Sequence, residues 1–410
     1  MIQYIMWIIA FLTLYISILW ISFLYLSLDK VKAKAPKILP KVTIAVPAYN
    51  EERTILNTIK SILDLNYPRD KLEVIIINDG SKDDTKKIVE SFIKSKNNCI
   101  IINKVNGGKA AALNSALDIA SGDLFACVDA DSFVTKDSLI NALHNFSKPK
   151  VAAVISSIQI NDPKTIFEKI QRIEYIMAVL IRKLMASINT LSMTPGVLSI
   201  YRTKVLKKIG GFDDDNITED YEIAMRLRKF GYKIEIETDS LTYTNAPSSF
   251  WSLWRQRVRW YRGFLFNHVK YRKMFFDKRY SFLAYFQLPL DIIGVVFLLA
   301  ATSLISYAVI KNTYEFIVRS VMIKDYFVNH VLSFPTLKDF ILTQNLKIMI
   351  PIWVALIAGI YLFYKAHKLV KHEFKHPFSI WSYFVLLPYL TSLHWISAIS
   401  HELFRTKRKW

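Results

Sequence analysis

The sequence predicts an α/β domain with a mostly parallel sheet and flanking helices, held between transmembrane α-helices and edged by interfacial amphipathic helices. Three observations carry this. Residues 1–28 have no charged side chain. From Val42 to about Ala246, short apolar runs alternate with segments of helical spacing. From Ser281 onward, long uncharged stretches return. Hydrophobic residues make up 52% of the 410. A large soluble core could hold that share too, so the distribution decides the class.

The first element, 1–28, is long enough for a helix across about 30 Å of hydrocarbon. It has no basic start and no clear small-residue cleavage site, which argues against a signal peptide. Lys30, Lys32, Lys34, Lys37 and Lys41 follow it. Basic residues collect on the cytosolic side. The expectation is an integral protein of the cell membrane, its N-terminus outside and its soluble domain cytosolic.

The middle region, 42–246, reads as strand Val42–Pro47, helix Glu51–Leu65, strand Leu72–Ile77, helix Asp84–Ile93, strand Cys99–Asn103, helix Lys109–Ala120 and strand Leu124–Val128. Such alternation implies parallel strands covered on both faces. Ile166, Ile170, Ile173, Met177, Leu180 and Leu184 then follow helical spacing, with Lys169, Arg172, Arg182 and Lys183 interspersed. That helix suits a domain core or a membrane surface. Residues 247–280 form an interfacial amphipathic region, helical over Trp251–Phe276 and basic throughout.

The last region, 281–404, holds about three spans. They are Ser281–Ile310, with Asp291 as its only charge, Ile348–Tyr364, and Pro377–His401, bent at Pro388. Four spans in total would leave Arg405–Lys409 outside, against the positive-inside tendency. Either one segment lies in the interface or Thr313–Leu332 dips into the membrane. Asp291 is costly in lipid and should line a polar passage or accept a helix–helix hydrogen bond.

The net charge is +20, clustered beside apolar runs, which favours anionic headgroups of membrane lipids. No helix-turn-helix, zinc-finger or RNA-recognition signature is present, which argues against nucleic acid. Cys99 and Cys127 form neither a metal-ligand spacing nor a disulfide framework, as in a reducing compartment.

Four polar clusters fall at strand ends, where ligands of such sheets bind. The first runs from Pro47 through Tyr49 to Glu51, and these three are candidates for binding a nucleotide donor. The second is Asn78-Asp79-Gly80-Ser81, where Asp79 can accept from a base or a ribose hydroxyl. The third ends in Gly107-Gly108-Lys109, and Lys109 at a helix start can meet a diphosphate. In the fourth, Asp129 and Asp131 point the same way and could hold Mg²⁺ or Mn²⁺ against that diphosphate. Asn-Asp-Gly-Ser is also a common turn, and Asp-x-Asp is often only a loop. Their order and repetition favour a site.

Thr218-Glu219-Asp220 opens a helix, where Thr is a good cap and acids suit the first turn. A rigid helix start can also hold a general base, and Asp220 is the candidate. Gln256, Arg259 and Trp260 fall within about one helical turn. Arg259 could pair with phosphate, Gln256 could hydrogen-bond nearby, and Trp260 could face a sugar. The alternative is an interfacial helix with snorkelling arginines.

With these motifs the chain resembles the family-2 processive glycosyltransferases: cellulose, chitin and hyaluronan synthases and the bacterial poly-N-acetylglucosamine synthases. The matching stretches are VPAYNE (46–51), NDGS (78–81), GGKAAALN (107–114), DAD (129–131), TED (218–220) and QRVRW (256–260). FEKIQRIEY (167–175) and DNITEDYEIA (215–224) resemble the poly-N-acetylglucosamine type. The resemblance implies a GT-A fold, a UDP-sugar donor and a metal held by Asp131 and Asp129. It implies donor contacts from Asp79 and Lys109 and diphosphate contacts from Gln256 and Arg259. Asp220 would be the base, with Glu219 and Trp260 toward the acceptor. Relatives pass the growing glycan through a channel of transmembrane helices. This chain departs from several of them in having one N-terminal span and no cyclic-nucleotide domain.

Three functions follow. One is an inverting, metal-dependent polysaccharide synthase, leaning to UDP-N-acetylglucosamine, with polymer export. Another is single transfer to a membrane lipid, since ceramide glucosyltransferases carry a similar Q/R-x-x-R-W element. A third is a transporter or inactive nucleotide-binding scaffold. The partners are a UDP-sugar, a glycan or lipid acceptor and membrane lipids, with a small membrane partner subunit as a further possibility.

Overall fold

A computed structural model describes residues 2–28, 38–332, 346–371 and 377–406. Lys30, Lys32, Lys34, Lys37 and residues 407–409, which entered the charge argument, lie outside the described residues.

Eight strands form one sheet: β1 Val42–Ala48, β2 Leu72–Asp79, β3 Cys99–Lys104, β4 Leu124–Val128, β5 Ser132–Val134, β6 Val151–Ile160, β7 Val197–Arg202 and β8 Lys233–Thr244. Their order is β3-β2-β1-β4-β7-β6-β8-β5. The β3-β2-β1-β4 half is parallel. β7 runs antiparallel to β4 and β6, β8 parallel to β6, and β5 antiparallel to β8. The helices are α1 Ile2–Leu28, α2 Ile55–Leu63, α3 Thr85–Ile93, α4 Gly108–Ile119, α5 Ser138–Leu143, α6 Ile166–Ser187, α7 Thr203–Lys208, α8 Glu219–Lys229, α9 Phe250–Lys270, α10 Leu288–Met322, α11 Tyr326–Leu332, α12 Leu346–Leu369 and α13 Pro377–Leu403.

Parallel strands are covered on both faces, and the alternation of side chains divides the core accordingly. Ile44, Val46 and Ile76 face Ile55, Ile59 and Ile62 of α2. Ala45, Ile75 and Ile77 face Ala110, Leu113 and Leu117 of α4.

Two sequence boundaries move. The helix expected from Glu51 begins at Ile55. Residues 51–54 instead form a turn, in which Glu51 O accepts from Thr54 N at 3.1 Å and Ile55 N at 3.0 Å. That keeps Glu51 at the sheet edge. The helix expected over Trp251–Phe276 stops at Lys270, followed by a 3₁₀ turn at Arg272–Met274.

Among the described residues, four helices are long and apolar enough to cross a membrane: Met6–Ser27, Leu283–Met322, Met349–Leu369 and Phe378–Leu403. Over Thr313–Leu332, residues up to Met322 continue α10 and Tyr326–Leu332 forms the short α11. The 40-residue apolar stretch is about 60 Å long at the helical rise, about twice the hydrocarbon thickness. Lys311 and Arg319 pair with Glu315 at helical spacing near its end, marking a solvated extension. Asp291 accepts from Gln287 Nε2 at 2.7 Å, and its Oδ2 lies 3.7 Å from His268 Nε2 of α9. The hydrogen bond is within its own helical segment, and the approach to α9 is longer than a hydrogen bond.

Helix α6 serves both environments. Val179 and Ala186 join the sheet core. Ile176, Leu180 and Leu184 pack on Phe23 and Leu24 of α1 and on Leu362 and Ala366 of α12. α13 is tied to α9 by stacking of Tyr261 on Trp395 at 4.2 Å and by Arg262 Nε, 2.8 Å from Glu402 Oε1. Membrane helices and domain are thus packed directly against each other.

Candidate active site

β2 ends in buried Asp79, and Gly80 turns the chain at φ 76°. Asp79 Oδ1 accepts from Lys104 Nζ at 2.7 Å and Gly107 N at 3.0 Å, and Oδ2 accepts from Gly108 N at 2.9 Å. This carboxylate therefore fixes the Gly-Gly turn and the first residues of α4. A Cβ on Gly80 would lie 2.8 Å from Asn106 N, so the turn needs glycine. The first two clusters are laced together. Asn50 N donates to Ser81 Oγ, Lys82 N to Asn50 Oδ1, and Glu51 N to Thr85 Oγ1. Pro47 is half-buried at the end of β1, and Tyr49 is exposed beyond it.

At the start of α4, Lys109 Nζ lies 2.5 Å from Asp129 Oδ1 and 3.1 Å from Glu219 Oε1. Burial alone would push its ammonium down, but Asp129, Glu219 and Asp220 hold it well above its ordinary value. Lys109 is firmly a cation. Gly196, just before β7, lies against this pair. A Cβ there would sit 2.5 Å from Lys109 Nζ and 2.6 Å from both Asp129 carboxylate oxygens. Beneath them, burial pushes the Cys127 thiol well up and keeps it neutral.

Burial, then the charge of Asp129, raises the Asp131 carboxyl to about 6, with Glu51 adding to the effect. Glu51 is itself raised by burial, and Thr54 Oγ1 donates to its Oε2 at 2.5 Å. Among the described residues no group of three or more His, Cys, Asp or Glu could hold a metal ion by itself. Two carboxylates whose mutual repulsion calls for a cation still fit Mg²⁺ or Mn²⁺, which takes one or two carboxylates and completes its shell with phosphate and water.

The Thr218-Glu219-Asp220 segment reaches this corner through α8. Glu219 is buried and joins Lys109, while Asp220 follows it. Burial, then Glu219, raises the Asp220 carboxyl to about 6, opposed by Lys109, the Tyr221 N–H and Arg259. Thr194 Oγ1 donates to Asp220 O at 2.7 Å. The start of α8 is braced by α9. Asn267 Nδ2 donates to Thr218 Oγ1 at 3.1 Å. A Cβ at Gly263 would lie 2.2 Å from that same oxygen.

On α9, Arg259 acts on Asp220. Gln256 Oε1 is buried with no protein partner. Arg257 stacks on Trp260, its guanidinium carbon 4.3 Å from the ring centroid, and its Nη2 donates to Glu174 Oε2 at 2.8 Å. One face of Trp260 is thus already covered. From α6, Arg182 faces the same region. Burial lowers its guanidinium, against the pull of Tyr175, Asp220 and Glu174.

The structure joins Lys109, Asp129, Asp131, Glu219, Asp220 and Arg259 into one electrostatic unit. Asp79 stands one layer behind, shaping the turn. Sequence reasoning missed Gly196, and the place of Arg182, one basic residue among four on its helix.

Residues 43–210 match the family model described as Glycosyl transferase family 2, so the chain carries a family 2 glycosyltransferase domain. It is 36% identical over 267 residues to a poly-beta-1,6-N-acetyl-D-glucosamine synthase of Staphylococcus epidermidis, covering 62% of this chain and 64% of that one. It is 36% identical over 231 residues to the synthase of that name in Staphylococcus aureus strain COL, covering 55% of each. The chain therefore spans less than two thirds of the length of these curated relatives. Among solved structures, a mannosyltransferase from Pyrobaculum calidifontis, in complex with GDP-Man and Mn²⁺, superposes with a TM-score of 0.64 at 19% identity. The superposition covers 98% of this chain and 100% of that one. At that identity the likeness shows the shared GT-A fold.

Proposed function

We propose that this chain, carrying its family 2 glycosyltransferase domain, is a membrane-integrated inverting enzyme that moves a sugar from a UDP-sugar to a growing β-linked polysaccharide. N-acetylglucosamine is the donor sugar we favour, on the similarity to the staphylococcal synthases. The observation that carries the reading is the Asp129–Lys109–Glu219 linkage, which sets Asp220 beside the donor corner.

Asp131 and Asp129 would hold Mg²⁺ or Mn²⁺, which neutralises charge on the departing diphosphate. Lys109 and Arg259 supply fixed positive charge at the same group, with Gln256 beside Arg259. Asp220 accepts the proton of the acceptor hydroxyl as its oxygen bonds to the anomeric carbon. The bond from that carbon to the diphosphate oxygen breaks, and UDP leaves with the electron pair. Packing of α6 and α9 against the membrane helices brings the reaction to the bilayer surface, with the domain on the cytosolic side and the polymer exported.

The test is incubation of purified protein with UDP-glucose, UDP-N-acetylglucosamine and UDP-glucuronate, followed by product sizing. Long products from UDP-N-acetylglucosamine are expected. A single sugar on lipid would replace polymerisation with the lipid-acceptor reading. No transfer from any donor would sink the enzyme assignment.

A further inference from the structure

On α6, Gln171, Tyr175, Ala178 and Arg182 recur at i, i+4, i+7 and i+11 and so share one side of the helix. The residues used for packing on the membrane helices, Ile176, Leu180 and Leu184, lie elsewhere on its surface. Gln171 is committed to the fold, donating to Phe167 O and Pro247 O. Glu174 is paired with Arg257.

Arg182 is different. Its Nη1 is buried and has no hydrogen-bond partner, an expensive condition for a guanidinium donor. The carboxylate of Asp220 and the phenol of Tyr175 both act on it. Two further cations act on Asp220: Lys109, already engaged by Asp129 and Glu219, and Arg259 of α9. Asp131, on the donor side, acts in turn on Tyr175. An acceptor hydroxyl that reaches Asp220 therefore comes near these α6 side chains.

We infer that Arg182 is an acceptor-binding residue, whose free Nη1–H donates to a hydroxyl or amide oxygen of the terminal acceptor sugar, beside Tyr175. This rests on the transferase reading above. A guanidinium suits the task because it offers only donors, in a fixed fork, and cannot compete with Asp220 for the acceptor proton.

The test measures two things on the full chain in detergent or nanodiscs: UDP affinity, and transfer to an added N-acetylglucosamine oligosaccharide. Arg182→Gln and Arg182→Lys are compared with the unaltered protein. The expected result is a roughly tenfold higher acceptor KM in Arg182→Gln, the scale of one charge-assisted hydrogen bond. UDP affinity should stay unchanged, and Arg182→Lys should recover part of the loss. An unchanged acceptor KM overturns the inference. Loss of UDP affinity in both variants also overturns it, since Arg182 would then support the fold or the donor. Failure of the unaltered protein to transfer sugar at all would instead defeat the enzyme reading, and the two failures are separable.

Discussion

The Lys109 ammonium stands 2.5 Å from Asp129 Oδ1 with Gly196 against the pair. Because the same ammonium reaches Glu219, one side chain connects the strand-end carboxylates to the helix bearing Asp220. A methyl group at position 196 cannot be placed without moving this pair. Gly196→Ala should therefore weaken UDP binding and transfer together, at a stability cost of about 1–3 kcal/mol from overpacking. Titration calorimetry with UDP and a thermal melt check this. Full UDP affinity in the variant would show that the pair relaxes freely.

Asp131 is held near 6 by burial and by Asp129. Replacing it removes that repulsion together with a ligand oxygen. Asp131→Ala should bind UDP with little gain from added Mn²⁺, whereas the unaltered protein should gain substantially. Equal UDP affinity with and without Mn²⁺ in the unaltered protein would count against the metal site.

Asp220 titrates near 6, above an ordinary aspartate. As a base it must be ionised, so transfer should fall as pH drops through about 6. The stability effect has the opposite sign. The folded carboxyl binds its proton more tightly than the unfolded one, so this group stabilises on the acid side and loses that contribution as pH rises through about 6. Asp220→Asn should be inactive at every pH, keep UDP affinity, and melt higher than the unaltered protein at neutral pH. Unchanged turnover in Asp220→Asn would remove it as the base.

Gly263 lets α9 approach Thr218, whose side chain lies where a Cβ would go. Gly263→Ala must push α9 away from the start of α8 and break the contact of Asn267 with Thr218. Both melting temperature and transfer rate should drop. A double variant, Gly263→Ala with Thr218→Ser, should recover part of the stability by removing the methyl that clashes. No recovery would place the damage elsewhere.

Much of the fold was legible because periodicity reports burial. The runs Val42–Ala48 and Leu124–Val128 are apolar because both faces of a parallel strand are covered. The boundaries at Glu51 and Lys270 were not legible. The first depends on a local turn closed by Thr54, and the second on where α9 meets Asn216 and Thr218, residues far from it in sequence.

The sequence by itself determined the class of the protein, the membrane helices, and the four strand-end clusters whose residue types suit a nucleotide and a hard cation. Those are properties of local pattern: hydropathy over a span, and polar residues where an apolar strand stops. Only the tertiary structure decided that Asp79 holds a turn, that Lys109 bridges Asp129 and Glu219, that Gly196 and Gly263 are close-contact positions, and that Asp220 acts on a buried Arg182. Which of many charged side chains meet is set by packing between distant segments, and the buried position then sets their pKa values.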